Sequence, residues 1–263
     1  MSAVAAMQVY VWDRRFLLCA QSFMLPRAAR PHRRLSATVL MARARPFAME
    51  GIGTPGQRYQ GVILAPNVPR LSLEAEGSEL TLLDAGVGTA AYYRLQPMLR
   101  PGGVRALGVD ELSRVHAVPA PSPDMDAAAA SLHYEQVLAA LVGDALPSPQ
   151  ADARVARACA LIDEQPMDVL SMTQLAAAVG VSPSRLRALF QRELGCAPAQ
   201  YARWASAWKA IRRWRKGARL TDLAMDAGFH DLPHIHRSIK ALFGMNPSSI
   251  AQARDVRLLQ CGD

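Results

Sequence analysis

The chain has 263 residues, 51% of them hydrophobic, and a formal net charge of +8 from 30 Lys+Arg against 22 Asp+Glu. That length suits two domains, each with a core of its own, and the apolar fraction excludes disorder as the default state. Cys19, Cys159, Cys196 and Cys261 make no C-x-x-C pair, no uncharged stretch reaches the length of about 18 residues that a membrane span needs, and no signal-like apolar run precedes Asp13-Arg14-Arg15. The expectation is a cytoplasmic protein with reduced thiols and a polyanionic partner.

Residues 1–34 show no clear periodicity, and the basic run from Arg27 to Arg34, broken by Pro31, reads as a flexible segment. From Leu35 the pattern turns to strand. Leu35 to Met41 and Tyr59 to Ala65 are short apolar runs, and Pro66 and Pro69 punctuate the next stretch. Leu71, Leu73 and Ala75 alternate with Ser72, Glu74 and Glu76, Gly77-Ser78 reads as a two-residue hairpin turn, and Leu80 and Leu82 resume the alternation. Residues 1–120 are therefore expected to form a β-rich domain with antiparallel sheet.

Val118 to Pro123 holds three prolines and reads as a linker. Asp126 then caps a predicted helix to about Val142, with Ala127, Ala130, Tyr134, Val137 and Leu141 at heptad spacing. That seam fits two arrangements equally, a helix laid on its own domain's sheet or a homodimer contact. Residues 121–150 are read as linker and dimerisation helix, and residues 151–263 as a separate helical domain beginning with a helix from Ala153 to Gln165.

The C-terminal part contains one helical pattern twice. Leu175-Ala176 and Gly180-Val181 return 48 residues later as Leu223-Ala224 and Gly228-Phe229; Leu186, Leu194, Gly195 and Pro198 return 49 residues later as Ile235, Phe243, Gly244 and Pro247. In the first copy Gly180 supplies the tight turn, Ser182 is the N-cap, Pro183 is the first helical residue, and Leu186, Leu189 and Phe190 face inward. Each copy is thus a helix-turn-helix. The second helix of the first copy presents Ser184, Arg187, Ala188 and Gln191 outward, where a DNA major groove would lie. Its counterpart presents Leu232, Pro233, His236, Arg237 and Lys240.

Charge supports this placement locally rather than in bulk. Residues 151–263 and residues 1–120 each carry a net +6, and the segment between carries −4. From Leu194 to Thr221 there is no acid, while seven cations occur, Arg212 and Arg213 among them, which suits them to phosphates. A connecting helix from Ala199 to Lys216 would span about 27 Å, and with the packing at its ends could set two reading helices near one DNA turn of ~34 Å. Its Tyr201, Trp204, Trp208 and Ile211 make an inward stripe of core type.

These residues resemble the DNA-binding domain of the AraC/XylS family of bacterial transcription regulators. The closest matches are Gly228-Phe229-His230-Asp231, His234, Phe243-Gly244 and Pro247, with Gly195, Pro198 and Tyr201 at the end of the first unit. The chain departs from the family at Ile235 and Ile239, where phenylalanines are usual, at Ser206, where arginine is usual, and at Arg213-Trp214, where a Leu-Leu pair is usual.

The resemblance implies an α+β protein: a β-rich, cupin-like N-terminal domain that senses a small-molecule effector, then an all-α domain with two helix-turn-helix units. It implies double-stranded DNA as partner, a homodimer, RNA polymerase as the partner of an activator, and no membrane role. No cofactor, metal or catalytic residue is expected. Residues 1–120 hold only His32 and His116, too few for a cupin metal centre; His230, His234 and His236 have no cysteine or acid to complete a tetrahedral set. Two alternatives are an N-terminal half that only dimerises and an enzyme fused to a DNA-targeting module, for which Cys19 stands alone.

Overall fold

The computed structural model describes residues 7–28, 31–99, 103–143, 151–164, 171–213, 240 and 256–262. The second helix-turn-helix copy, with Leu232, Pro233, His236 and Arg237, lies outside these residues, as do His230 and His234; Arg213 is described for its backbone alone.

The described chain opens with β1 (Met7–Trp12) and β2 (Arg15–Ala20), antiparallel with Met7 opposite Ala20, and continues into β3 (Phe23–Leu25). β1 is buried along its whole length and β2 along nearly all of it, so neither shows the in-and-out alternation that marks a half-exposed strand. There follow β4 (Ser36–Ala42), β5 (Phe47–Glu50), β6 (Arg58–Tyr59), β7 (Gly61–Leu64), β8 (Ser72–Ala75) and β9 (Leu80–Gly86). After α1 (Ala90–Leu95) come β10 (Val104–Ala106), α2 (Val109–Ala117) and α3 (Ala127–Val142). The first sheet runs β10-β7-β4-β9-β2-β1-β11, where β11 is Val256–Gln260; the second runs β3-β8-β5-β6. Leu18, Leu40 and Leu82 of the first and Leu25, Met49 and Leu73 of the second line one shared cavity, so the two sheets enclose the core between them.

Three expectations change. The described part of the run from Arg27 to Arg34 is not a loose basic segment: His32 and Arg70 exchange backbone hydrogen bonds at 3.0 Å, and the His32 and Arg34 side chains are buried. Gly77-Ser78 does not close a hairpin. Gly77 and Glu79 both take positive φ (62° and 48°), and the turn carries the chain from β8 in one sheet to β9 in the other. The helical part is not all-α, because β11 leaves it and pairs in parallel with β1, Met7 opposite Val256 through Val11 opposite Gln260. The physical reason is the edge of β1, whose free backbone groups would otherwise lack partners.

Helix α3 is capped as expected, with Asp126 accepting from the Ala129 amide at 2.8 Å. Its heptad seam is used inside the domain: Ala130, Tyr134, Val137 and Leu141 are at most 1% exposed. The Tyr134 hydroxyl donates to the Asp84 carbonyl at 3.3 Å, and its ring lies 5.6 Å from that of Trp12. Of the two arrangements the seam allowed, the structure has the intradomain one.

The helical part comprises α4 (Ala153–Glu164), α5 (Met172–Ala178), α6 (Pro183–Leu194) and α7 (Pro198–Arg213). Leu175, Ala176, Leu186, Leu189, Phe190, Val155, Ala158 and Tyr201 are buried between them, with the Phe190 and Tyr201 rings edge-on at 6.0 Å.

Candidate nucleic-acid interface

The first helix-turn-helix unit is built by local chemistry. Ser171 caps α5 and accepts from the Gln174 amide, while the Gln174 side chain accepts from the Ser171 amide, so two helix-end donors are satisfied reciprocally. Gly180 turns the chain at φ 69°, a left-handed conformation that suits glycine. Ser182 then accepts from the Arg185 amide at 3.2 Å, Pro183 opens α6, and Gly195 ends it at φ 66°.

On α6 the side chains of Ser184, Arg187, Ala188 and Gln191 are all exposed, on the face opposite Leu186, Leu189, Phe190 and Leu194. The four thus share one outward surface. Lys240 is helical and exposed. Arg212, expected to meet phosphate, is 48% exposed and stands 3.6 Å from the Asp13 carboxylate.

Beside α6 lies a cluster of charges. Asp152 accepts from Arg154 at 2.6 Å and lies 3.4 Å from Arg192; its amide donates to Glu193 at 2.9 Å. The Arg154 hydrogen bonds hold the Asp152 carboxyl down at about 2. The cluster pins the start of α4 to the end of α6.

Sequence reasoning did not find the contacts that set this unit against the sheets. Arg14, in the β1–β2 turn with φ 55°, donates to Asp163 at 2.8 Å and to the Tyr201 hydroxyl at 2.6 Å. Asn67 donates to the Gly195 carbonyl at 2.7 Å and accepts from Gln200 at 2.8 Å; the Tyr92 hydroxyl and Gln96 both donate to the Glu193 carbonyl. Of the inward stripe on α7, Trp208 lies 6.5 Å from the Phe16 ring, and a Cβ placed on Gly86 would meet the Trp204 ring at 2.5 Å. The signal available was Gly86 itself, a glycine inside an apolar strand pattern, which marks close approach by another element. The Gly195 carbonyl accepts from Asn67, and Gln191 and Arg192 line the same cleft as Asn67, Tyr92 and Gln96, so the end of α6 is tied to the N-terminal domain.

A surface helix carried by a capped helix-turn-helix is the arrangement of a DNA-reading protein. Residues 175–253 match the family model of a helix-turn-helix domain. Among solved structures, ToxT from Vibrio cholerae strain SCE256 with an unsaturated fatty acid bound is 10% identical, with 90% of this chain and 94% of that one covered and a TM-score of 0.55. A single-substitution variant of ToxT from the same strain, in its apo form, is 8% identical, with 90% and 97% covered and a TM-score of 0.53. A probable AraC family transcriptional regulator from Rhodopseudomonas palustris CGA009 is 27% identical over 38% of this chain and 96% of its own, with a TM-score of 0.35. No curated protein matches. The likeness to ToxT is one of fold: a β-rich N-terminal domain followed by helix-turn-helix helices. Among the described residues no helix is long and apolar enough to cross a membrane.

Proposed function

We propose that the chain is a sequence-specific DNA-binding transcription regulator whose N-terminal domain responds to a small molecule. The observation that carries the first half is the exposed face of α6, where Ser184, Arg187 and Gln191 stand on a helix fixed by caps at both ends. Arg187 is the residue suited to grip guanine in a bidentate way, a contact worth about 1–3 kcal/mol of discrimination. In the second unit Leu232 and Pro233 could touch only a thymine methyl, His236 and Arg237 are the polar readers, and Lys240 and the Arg212-Arg213 pair serve phosphates.

Support for the second half is the cavity between the sheets, in a fold similar to that of a protein crystallised with a small molecule bound. A homodimer and a contact with RNA polymerase remain part of the proposal as an activator, with the dimer contact away from the buried α3 seam.

Selection from random DNA tests the reading. Arg187→Ala should relax the preference at one or two base pairs, whereas Arg237→Ala should mainly lower affinity. Equal loss of preference in both would show that the two units share the reading, and absence of any selected sequence for the parent protein would overturn the proposal.

A further inference from the structure

The cavity between the sheets is lined mostly by apolar side chains, and its polar lining residues are His32, Arg34, Arg70 and Ser72. Arg34 and Arg70 are 7% and 3% exposed, so two guanidiniums are out of water. Only Arg34 lies within ion-pair distance of a described carboxylate. Asp84 lies 3.3 Å from Arg34 and accepts from Ser36 and Thr38 at 2.8 Å each, which occupies it fully on that side. Arg70 forms no ion pair among the described residues; its Nη2 donates to the Thr38 hydroxyl at 2.8 Å, and its Nε is buried with no hydrogen-bond partner. The Nδ1 of His32, on the adjacent segment, is likewise buried and unpartnered.

A buried guanidinium with an empty donor is costly, because a charge removed from water needs both a counter-charge and satisfied hydrogen bonds. Burial, and after it the Arg34 charge, pulls Arg70 down to about 9, still charged at neutral pH. His32 is driven by burial and by both arginines to about 3, so it stays neutral. Among the described residues the local ledger is two positive charges and one negative, in a pocket whose other lining residues, Ser72 apart, are apolar. The group lacking is an anion.

Two other lining residues add a second observation. Ile211, in the last turn of α7, and Leu258, in the middle of β11, both line this cavity. They flank residues 214–255, the stretch that contains the second helix-turn-helix copy. β11 is further tied down where Gln260 donates to the Ile211 carbonyl at 3.0 Å and the Cys261 amide donates to the Val11 carbonyl at 2.8 Å.

We propose that this cavity takes a compact monocarboxylate with an apolar body, its carboxylate received by Arg70 beside His32 and its body packed against Ile211 and Leu258, so that occupancy tightens the hold of α7 and β11 on the sheet. The cavity measures ≈ 40 Å³, about three times what one water needs (~10–15 Å³), so the occupant is short-chained or a single ring. The inference rests on reading the N-terminal domain as a sensor and names the chemistry it senses. Filling the donor of Arg70 removes the unmatched charge, and contact with Leu258 adds apolar packing to a strand that otherwise has sheet on one side only.

The test uses the full chain and calorimetric titration with acetate, butyrate, hexanoate, octanoate and benzoate, each beside the matching alcohol, with butylamine as the cationic control. One of the carboxylates larger than acetate should bind more tightly than its alcohol by on the order of tenfold or more. Acetate should bind weakly, because it has the charge and almost no body. Arg70→Met should abolish the preference for the carboxylate, while Arg70→Lys should keep part of it. Hydrogen exchange of residues 256–260 should slow when the preferred carboxylate is bound. An alcohol that binds as tightly as its acid overturns the proposal, as does an absence of binding across the series. Exchange in β11 that does not change on binding overturns the coupling. The comparison of acid with alcohol on the unaltered protein needs no variant, so a misfolded Arg70→Met does not spoil the result. DNA binding is measured on the same preparation: sequence-selective binding without any carboxylate effect removes this inference and leaves the regulator intact, whereas loss of both removes the reading beneath it.

Discussion

The sheets and the first helix-turn-helix unit are held by contacts of opposite range. In the sheets Arg15 pairs opposite Ala85 and Ser36 opposite Gly86, so each strand depends on partners far along the chain. In the helical unit, Ser171 with Gln174, Gly180, and Ser182 with Arg185 settle the geometry within a few residues. The junction between them combines one large apolar contact, Trp208 against Phe16, with a polar set centred on Arg14. A helix built locally, as α6 is, keeps its shape whatever the sheets do; its position is what the junction controls. That separation of shape from position suits a protein in which one domain adjusts another.

Removing Trp208 should have the largest effect on this division. It is 2% exposed and bridges both regions, so Trp208→Ala should lower stability by about 3–5 kcal/mol, read as a shift of the urea midpoint. If the helices and sheets were independent, sheet and helix signals would move apart; a single shifted transition would show that the junction makes them one cooperative unit.

A smaller loss is expected at the polar side of the junction. Arg14→Ala leaves Asp163 partly buried without its cation and the Tyr201 hydroxyl without its donor, at a cost of roughly 1–3 kcal/mol. The shape of α6 should be untouched, so the variant is expected to bind DNA with altered affinity and unchanged base preference. A changed preference would mean that the junction shapes the reading helix after all.

Smallest is the cap. Ser182→Ala removes the acceptor for the Arg185 amide, which should cost about 1 kcal/mol. Hydrogen exchange should rise in the first turn of α6 and remain as in the parent across β2 and β9. Loosening of the strands by this change would contradict the local character of the helical unit.

Legibility in the sequence follows the same division of range. The cap residues Asp126 and Ser182 and the turn at Gly180 stood in the sequence because each acts on neighbours a few positions away. The outward residues Ser184, Arg187, Ala188 and Gln191 followed from helical period alone. Strands β1 and β2 were illegible because burial on both faces erases alternation, and no turn residue such as Asn-Gly marks Asp13-Arg14. Arg34 and Arg70 read as surface charge, since arginine is almost never fully buried unless paired; only the fold shows that Arg34 meets Asp84 and that Arg70 reaches Thr38, which itself donates to Asp84. Nothing in the pattern of Val256 to Gln260 says that it belongs to a sheet begun at Met7.

The parallel pairing of β11 with β1 bears on the life of the chain on the ribosome. Strand β1 is synthesised before β11, so the edge that β11 covers stays open until synthesis has passed residue 256, after the helix-turn-helix region has been made. During that interval an apolar strand edge is exposed to any other extended chain, which is a standing invitation to misassembly. It also means that the cavity between the sheets acquires Leu258 only when β11 docks, after the helix-turn-helix region has been made.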